Sequence, residues 1–157
     1  KILGKVNGWI NLDVGQVVDL KNDKYKMISE IKNKFNTTKG NHKVAIYDDI
    51  SNLLSTKYKG YTGYYVSILH KKSLNQPFVP SDNKTHSRRE INEKIREVDG
   101  ATFYEIATKE KDALIKLYDV LPKIIAGIIG NSDEKIVTDP LYMLLFKKAF
   151  GSKQLNQ

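Results

Sequence analysis

The apolar positions of the first 35 residues fall in short runs, whereas those between 44 and 54 fall at helical spacing. Gly4, Gly8 and Gly15 punctuate a weakly patterned lead-in over residues 1–15, anchored by Trp9, Ile10 and Leu12, which reads as a helix or irregular segment docked on the core. Gln16 to Leu20 is a short apolar run holding one carboxylate, Asp19. The polar Lys21-Asn22-Asp23-Lys24 follows, and then a second run from Tyr25 to Phe35. Two β-prone runs around a compact polar turn predict an antiparallel strand pair. Val44, Tyr47, Ile50, Leu53 and Leu54 then recur at spacings of three and four, the signature of an amphipathic helix with Asp48, Asp49 and Asn52 on its solvated face. Lys57 to Gly60 ends that helix, and Gly63 to His70, rich in aromatic and β-branched residues, reads as a buried strand. Strand, helix and strand in that order predict an α/β layer.

Residues 71–90 are the least regular part of the chain, with Pro77, Pro80 and a polar, basic run from Ser81 to Arg89. A loop of that length in a compact domain is usually functional or disordered. Ile91, Ile95 and Val98 fit a helical turn or a short strand equally well. Asp99-Gly100 reads as a helix start, Asp99 being the N-cap and Phe103, Ile106 and Ala107 the buried face. Helical spacing returns from Asp112 to Leu121 and again from Pro122. Pro140 fits the first turn of a last helix, Leu141 to Phe150, ended by Gly151.

Composition narrows the class. At 157 residues, 40% hydrophobic, the chain is long enough for one domain with its own core, a single unit over 1–157. It has no cysteine, which removes disulfide frameworks, thiolate nucleophiles and Cys-ligated metals. The stretch from Val120 to Gly130, interrupted by Pro122 and Lys123, is far shorter than the roughly 20 residues of a membrane span. The start has no signal-peptide pattern and no initiator Met, so an upstream segment is expected to be missing. The net charge is +8, carried by 23 lysines and only three arginines, at 88, 89 and 96. Such an excess favours a polyanion, because each phosphate neutralised releases condensed counterions. A merely soluble, lysine-rich protein would carry the same charge.

The informative constellation is Asp19 with Glu30-Ile31-Lys32. Residues two apart on a strand share a face, so Glu30 and Lys32 point one way and Ile31 the other, and a hairpin can bring Asp19 alongside Glu30. Two carboxylates and the Ile31 carbonyl make a hard oxygen site suited to Mg²⁺, which keeps several waters and takes substrate phosphate. Lys32 beside it can hold an attacking water and stabilise the charge that builds on phosphorus. The chemistry that fits is metal-assisted phosphodiester hydrolysis. A Glu-x-Lys is also common on solvated strands as a plain ion pair; what sets this one apart is its place between a strand pair and an amphipathic helix.

Gln16 to Asp19 together with Ser29 to Gly40 resembles the PD-(D/E)XK nuclease core, and more narrowly type II restriction endonucleases that cut the interrupted palindrome GGNCC. The Glu-Ile-Lys-Asn-Lys-x-Asn-Thr run is its specific part. Val98 to Tyr104 is a second point of similarity, and together they span roughly residues 7–125. The resemblance implies a mixed sheet flanked by helices, a homodimer on palindromic double-stranded DNA, Mg²⁺ dependence, and a place in the bacterial cytoplasm beside a matching methyltransferase. Carried over by position, it makes Asp19 and Glu30 the metal carboxylates and Lys32 the catalytic lysine. Val18 stands where the motif's name has Pro. An N-terminal helix that could supply a further acidic residue is absent or trimmed, and Asp13 is a weak substitute. A repair or junction-resolving nuclease of the same core, or a DNA-binding module without catalysis, remains an alternative.

Base reading needs donors that reach base edges, and arginine on guanine is the commonest such pairing. Arg88 and Arg89 share a polar loop with Asn83, Lys84, Thr85, His86 and Ser87, which is the expected major-groove element; a loop touching only phosphates is the competing reading. Lys34, Asn36, Lys39, His42 and Lys43 follow the active strand and open the next helix, where they are expected to hold the DNA backbone. The three histidines, at 42, 70 and 86, have no metal-ligand spacing. Tyr58, Tyr61, Tyr64 and Tyr65 could stack on bases, but their position in and beside a buried strand favours core packing.

Overall fold

A computed structural model describes residues 2–6, 8–13, 15–34 and 40–129, with 144, 145 and 148. The alternating and continuous apolar runs form a six-stranded mixed sheet in the order β1-β2-β3-β4-β6-β5. Its strands are β1 (Trp9–Asn11), β2 (Leu20–Asn22), β3 (Met27–Lys34), β4 (Thr62–Leu69), β5 (Asn75–Pro77) and β6 (Ile95–Asp99). β1, β2 and β3 run antiparallel in turn; β3, β4 and β6 are parallel; β5 closes the far edge antiparallel to β6. Helix α1 (Gly40–Ser55) makes the crossover from β3 to β4, and α2 (Gly100–Thr108) and α3 (Ala113–Ile129) follow β6. The α/β reading therefore holds, with the sheet between helices.

Each sheet face has its own core. Under α1, Ile28, Tyr65 and Ile95 pack with Val18, Ile46, Tyr47, Ile50, Tyr58 and Phe78, and the rings of Tyr65 and Phe78 stack with centroids 4.6 Å apart. On the other face, Leu20, Tyr64, Val66 and Val98 pack with Leu3, Trp9, Phe103 and Ala107. The helix crosses so close to β4 at Gly63 that a Cβ there would lie 2.3 Å from Ile50 Cγ2. Asp99 caps α2 as expected, accepting from the Thr102 amide at 3.2 Å, and also accepts from the Leu74 amide at 2.7 Å. The tyrosines of 58–65 pack in the protein, Tyr58, Tyr64 and Tyr65 being buried.

Four expectations change. The lead-in contributes a strand, β1, as well as a 3-10 turn over Ile2–Lys5, because Trp9 is buried against Phe103 and its indole donates to the Ala107 carbonyl. β2 starts after Asp19, and the turn falls at residues 23–26, where Asn22 Oδ1 accepts the Tyr25 amide. Pro77 sits in the short edge strand β5, inside the segment read as loop. The spacing from Ala113 runs through Pro122 as one helix, α3. Ile95 and Val98 belong to β6, while Ile91 is exposed. The helix expected over 141–150 lies almost wholly outside the described residues. No helix among them is long and apolar enough to cross a membrane.

Candidate active site

The site lies where β2 stops and β3 continues. The β2–β3 ladder begins at Leu20 opposite Ser29, with Asp19 just before it on one side and Glu30 just after it on the other. The Asp19 amide donates to the Ser29 carbonyl at 2.8 Å, and the Asp19 carboxylate accepts the Ile31 amide at 2.8 Å. The side chain thus takes over the ladder where the backbone of β2 has turned away. A strand residue's amide and carbonyl leave on the same side, so the Ile31 carbonyl also faces Asp19. Glu30, only 9% exposed, accepts from Lys32 Nζ at 2.5 Å on the α1 face of the sheet, while Ile31 packs on the opposite face. Burial pushes the Lys32 ammonium toward losing its proton, but the hydrogen bond to Glu30 and the charges of Glu30 and Asp19 outweigh it and raise its pKa above 10.5.

The Asp19 and Glu30 carboxylates both lie close enough to Lys32 to favour its charge, and the Ile31 main chain lies beside Asp19; such oxygens are the donor chemistry of a hard divalent cation. Among the described residues no three acidic or histidine side chains gather into a metal-binding group. A cation at this point would therefore draw on Asp19, Glu30 and the Ile31 carbonyl, with water and phosphate oxygens completing its shell.

The parallel register extends the row. Glu30 lies opposite Tyr65 and Tyr65 opposite Glu97, and one pair further on Lys32 meets Ser67 and Ser67 meets Asp99. Lys43 of α1 reaches down to this row, donating to Glu97 at 3.3 Å with its ammonium 5.3 Å from the Tyr65 ring centre. Lys43 and Glu97 border a cavity of about 220 Å³ with Phe78, Val79, Pro80 and Ser81. The Ser67 hydroxyl is buried in the row with no hydrogen-bond partner among the described residues.

Comparison with known proteins adds an independent line. The family described as Eco47II restriction endonuclease matches residues 1–130. The chain belongs to this restriction endonuclease family. It is 39% identical over 160 residues to the type II restriction enzyme Eco47II of Escherichia coli, an alignment covering 96% of this chain and 67% of that one. It is 32% identical over 127 residues to the type II restriction enzyme Sau96I of Staphylococcus aureus, covering 78% of this chain and 48% of that one. The chain thus spans about two thirds of the first relative's length and about half of the second's. No solved structure matches it significantly.

In this family member the residues expected to meet DNA are scattered. Asn36, Lys39 and the side chain of Lys34 lie outside the described residues. His42 is exposed near the start of α1. Lys43, expected on phosphate, is half-buried and paired with Glu97. Asn83, Lys84, Thr85, His86, Ser87 and Arg88 are exposed together on one loop. Arg89 leaves that group: its Nε and Nη2 meet the two Asp48 oxygens at 2.7 and 2.6 Å. Sequence reasoning passed over Glu97, Ser67 and Asp48. The first two become visible only once strand register is known, and Asp48 reads simply as a solvated helix residue until the loop folds onto it.

Proposed function

We propose that this chain is the nuclease domain, over 1–157, of a Mg²⁺-dependent, sequence-specific endonuclease that hydrolyses phosphodiesters of double-stranded DNA at an interrupted palindrome of the GGNCC type. The observation that carries the reading is the meeting of the Asp19 carboxylate, the Ile31 backbone and the Glu30–Lys32 pair at one spot on neighbouring strands. Asp19, Glu30 and the Ile31 carbonyl would hold Mg²⁺, which supplies electrophilic activation of the phosphate and acidifies water.

The protein's own groups do the rest. Glu30 orients the Lys32 ammonium, and the raised pKa keeps that group charged at neutral pH, so it donates to the attacking water and to the phosphoryl oxygens rather than taking up a proton. The Asp19–Ile31 hydrogen bond fixes the carboxylate's rotamer and so the direction from which the scissile phosphate is approached. The 26 basic residues supply the long-range attraction for DNA. A palindromic site is served by a homodimer, and a matching methyltransferase in the same bacterial cytoplasm would protect the host's own copies.

The test is cleavage. Purified protein with Mg²⁺ is expected to cut plasmid DNA into discrete fragments, to stop on chelation and to resume when Mg²⁺ is restored. Nicking at random, or cutting of branched DNA alone, would turn the reading to a repair nuclease. Binding without cleavage in any divalent metal would leave a DNA-binding module.

A further inference from the structure

The segment expected to be irregular is a braced arch. Ser81 and Arg88 form an antiparallel bridge, and the Asp82 amide donates to the Ser87 carbonyl at 2.8 Å. The His86 amide donates to the Asp82 carbonyl at 2.9 Å, and the Arg89 amide to Pro80 at 3.0 Å. At the tip, Asp82 Oδ1 accepts the amides of Lys84 and Thr85 at 2.7 and 2.9 Å. The arch is then tied to one helix. From α1, Asn41 Oδ1 accepts the Asn83 amide at 3.2 Å, the Tyr47 hydroxyl donates to the Glu90 carbonyl at 2.8 Å, and Asp48 takes both arms of the Arg89 guanidinium.

Two adjacent arginines therefore have different fates. Arg88 is exposed, and its guanidinium has no hydrogen-bond partner among the described residues. Arg89 has closed its Nε–Nη2 edge on a carboxylate, and that edge cannot at the same time take the paired acceptors of a guanine. Resting on the endonuclease reading above, we infer that Arg88 is the specificity-determining side chain of this arch and that Arg89 is a positioning residue, latched to Asp48 so that Arg88 meets the base edge at a fixed angle. Because both partners are partly exposed, the latch adds little to overall stability. Its role is geometric: α1 is the next described element after β3 and packs on the sheet face that carries Glu30 and Lys32, so a loop fastened to α1 holds its register against the scissile phosphate.

The experiment uses the full chain, first mapping where the wild-type protein cuts plasmid DNA. Binding is then measured by anisotropy on a short duplex containing the mapped site and on the same duplex with one guanine replaced. Arg88→Ala is expected to weaken the mapped-site duplex about tenfold or more and to leave the altered duplex unchanged. Asp48→Asn and Arg89→Ala should each weaken the mapped-site duplex by a similar, smaller factor, with the double variant no worse than either single one, while the melting temperature stays close to wild type. Three results overturn the latch: losses that multiply in the double variant, an Arg89→Ala loss equal on both duplexes, or a lowered melting temperature with discrimination intact. An Arg88→Ala protein that still discriminates overturns the assignment of the reading residue. Wild-type protein that yields no discrete fragments removes the endonuclease reading and this inference with it, whereas discrete fragments with any of the earlier results remove this inference alone.

Discussion

Asp19 and Ile31, twelve residues apart, are joined by a 2.8 Å hydrogen bond from backbone amide to side-chain carboxylate. One side chain thereby serves both the fold and the site, and two substitutions separate the roles. Asp19→Asn keeps an oxygen to accept the Ile31 amide and removes the charge; it should abolish Mg²⁺-dependent cutting with the urea midpoint nearly unchanged. Asp19→Ala should lose cutting and also about 1–3 kcal/mol of stability, the cost of leaving a partly buried amide unpaired.

Lys32→Ala should lower the cleavage rate at least about a hundredfold, the scale of losing one preorganised donor at a developing charge, while gel-shift affinity for DNA is retained. Parallel loss of binding and cutting would mean that Lys32 holds DNA rather than the transition state.

The Glu30–Lys32 pair also has a pH signature. The Lys32 pKa is raised in the folded protein, so the pair's contribution is complete below about pH 10.5, the ordinary lysine value, and disappears as the pH rises through the higher folded value. Unfolding of metal-free protein followed against pH should therefore show an alkaline loss of stability that Lys32→Met removes.

At the other end of the scale, the amides of Thr85 and Lys84 hold the Asp82 carboxyl below its ordinary 3.8. A depressed carboxyl stabilises above its unfolded pKa and stops doing so as pH falls through the folded one. The amide resonances of Lys84 and Thr85 should shift together below about pH 4, and Asp82→Ala should show neither the shift nor the ordered arch.

Gly100 opens α2 where a Cβ would lie 2.5 Å from the Ile68 carbonyl oxygen, a backbone atom with nowhere to go. Gly100→Ala should cost about 1–3 kcal/mol by overpacking, read from the urea midpoint, although alanine is the better helix former.

Where periodicity and chemistry coincide, the sequence was legible. The spacing of Val44, Tyr47 and Ile50 marks α1, Asp99 marks the start of α2, and the antiparallel pairing that sets Glu30-Ile31-Lys32 near Asp19 is legible, although β2 itself starts one residue after Asp19. What stayed hidden depends on neighbours distant in the chain. β1 exists because Trp9 finds Phe103, and β5 because β6 offers it an edge; neither has a pattern of its own over three residues. Pro122 reads as a break, but α3 continues through it. Lys43 reads as a phosphate ligand from its place at the start of α1, and its pairing with Glu97, a partner 54 residues away, has no trace in the sequence. The arch over 81–89 has no apolar rhythm, and it is ordered by side-chain to backbone bonds that periodicity does not register.

The two outermost strands of the sheet are three residues each, and one of them ends in Pro77, which has no amide to offer. The eight-residue strands β3 and β4 are enclosed between neighbours. Among the described residues, rims this short give an incoming chain little to template on, which disfavours fibre-like stacking and strand exchange even though the central strand β4 is strongly apolar.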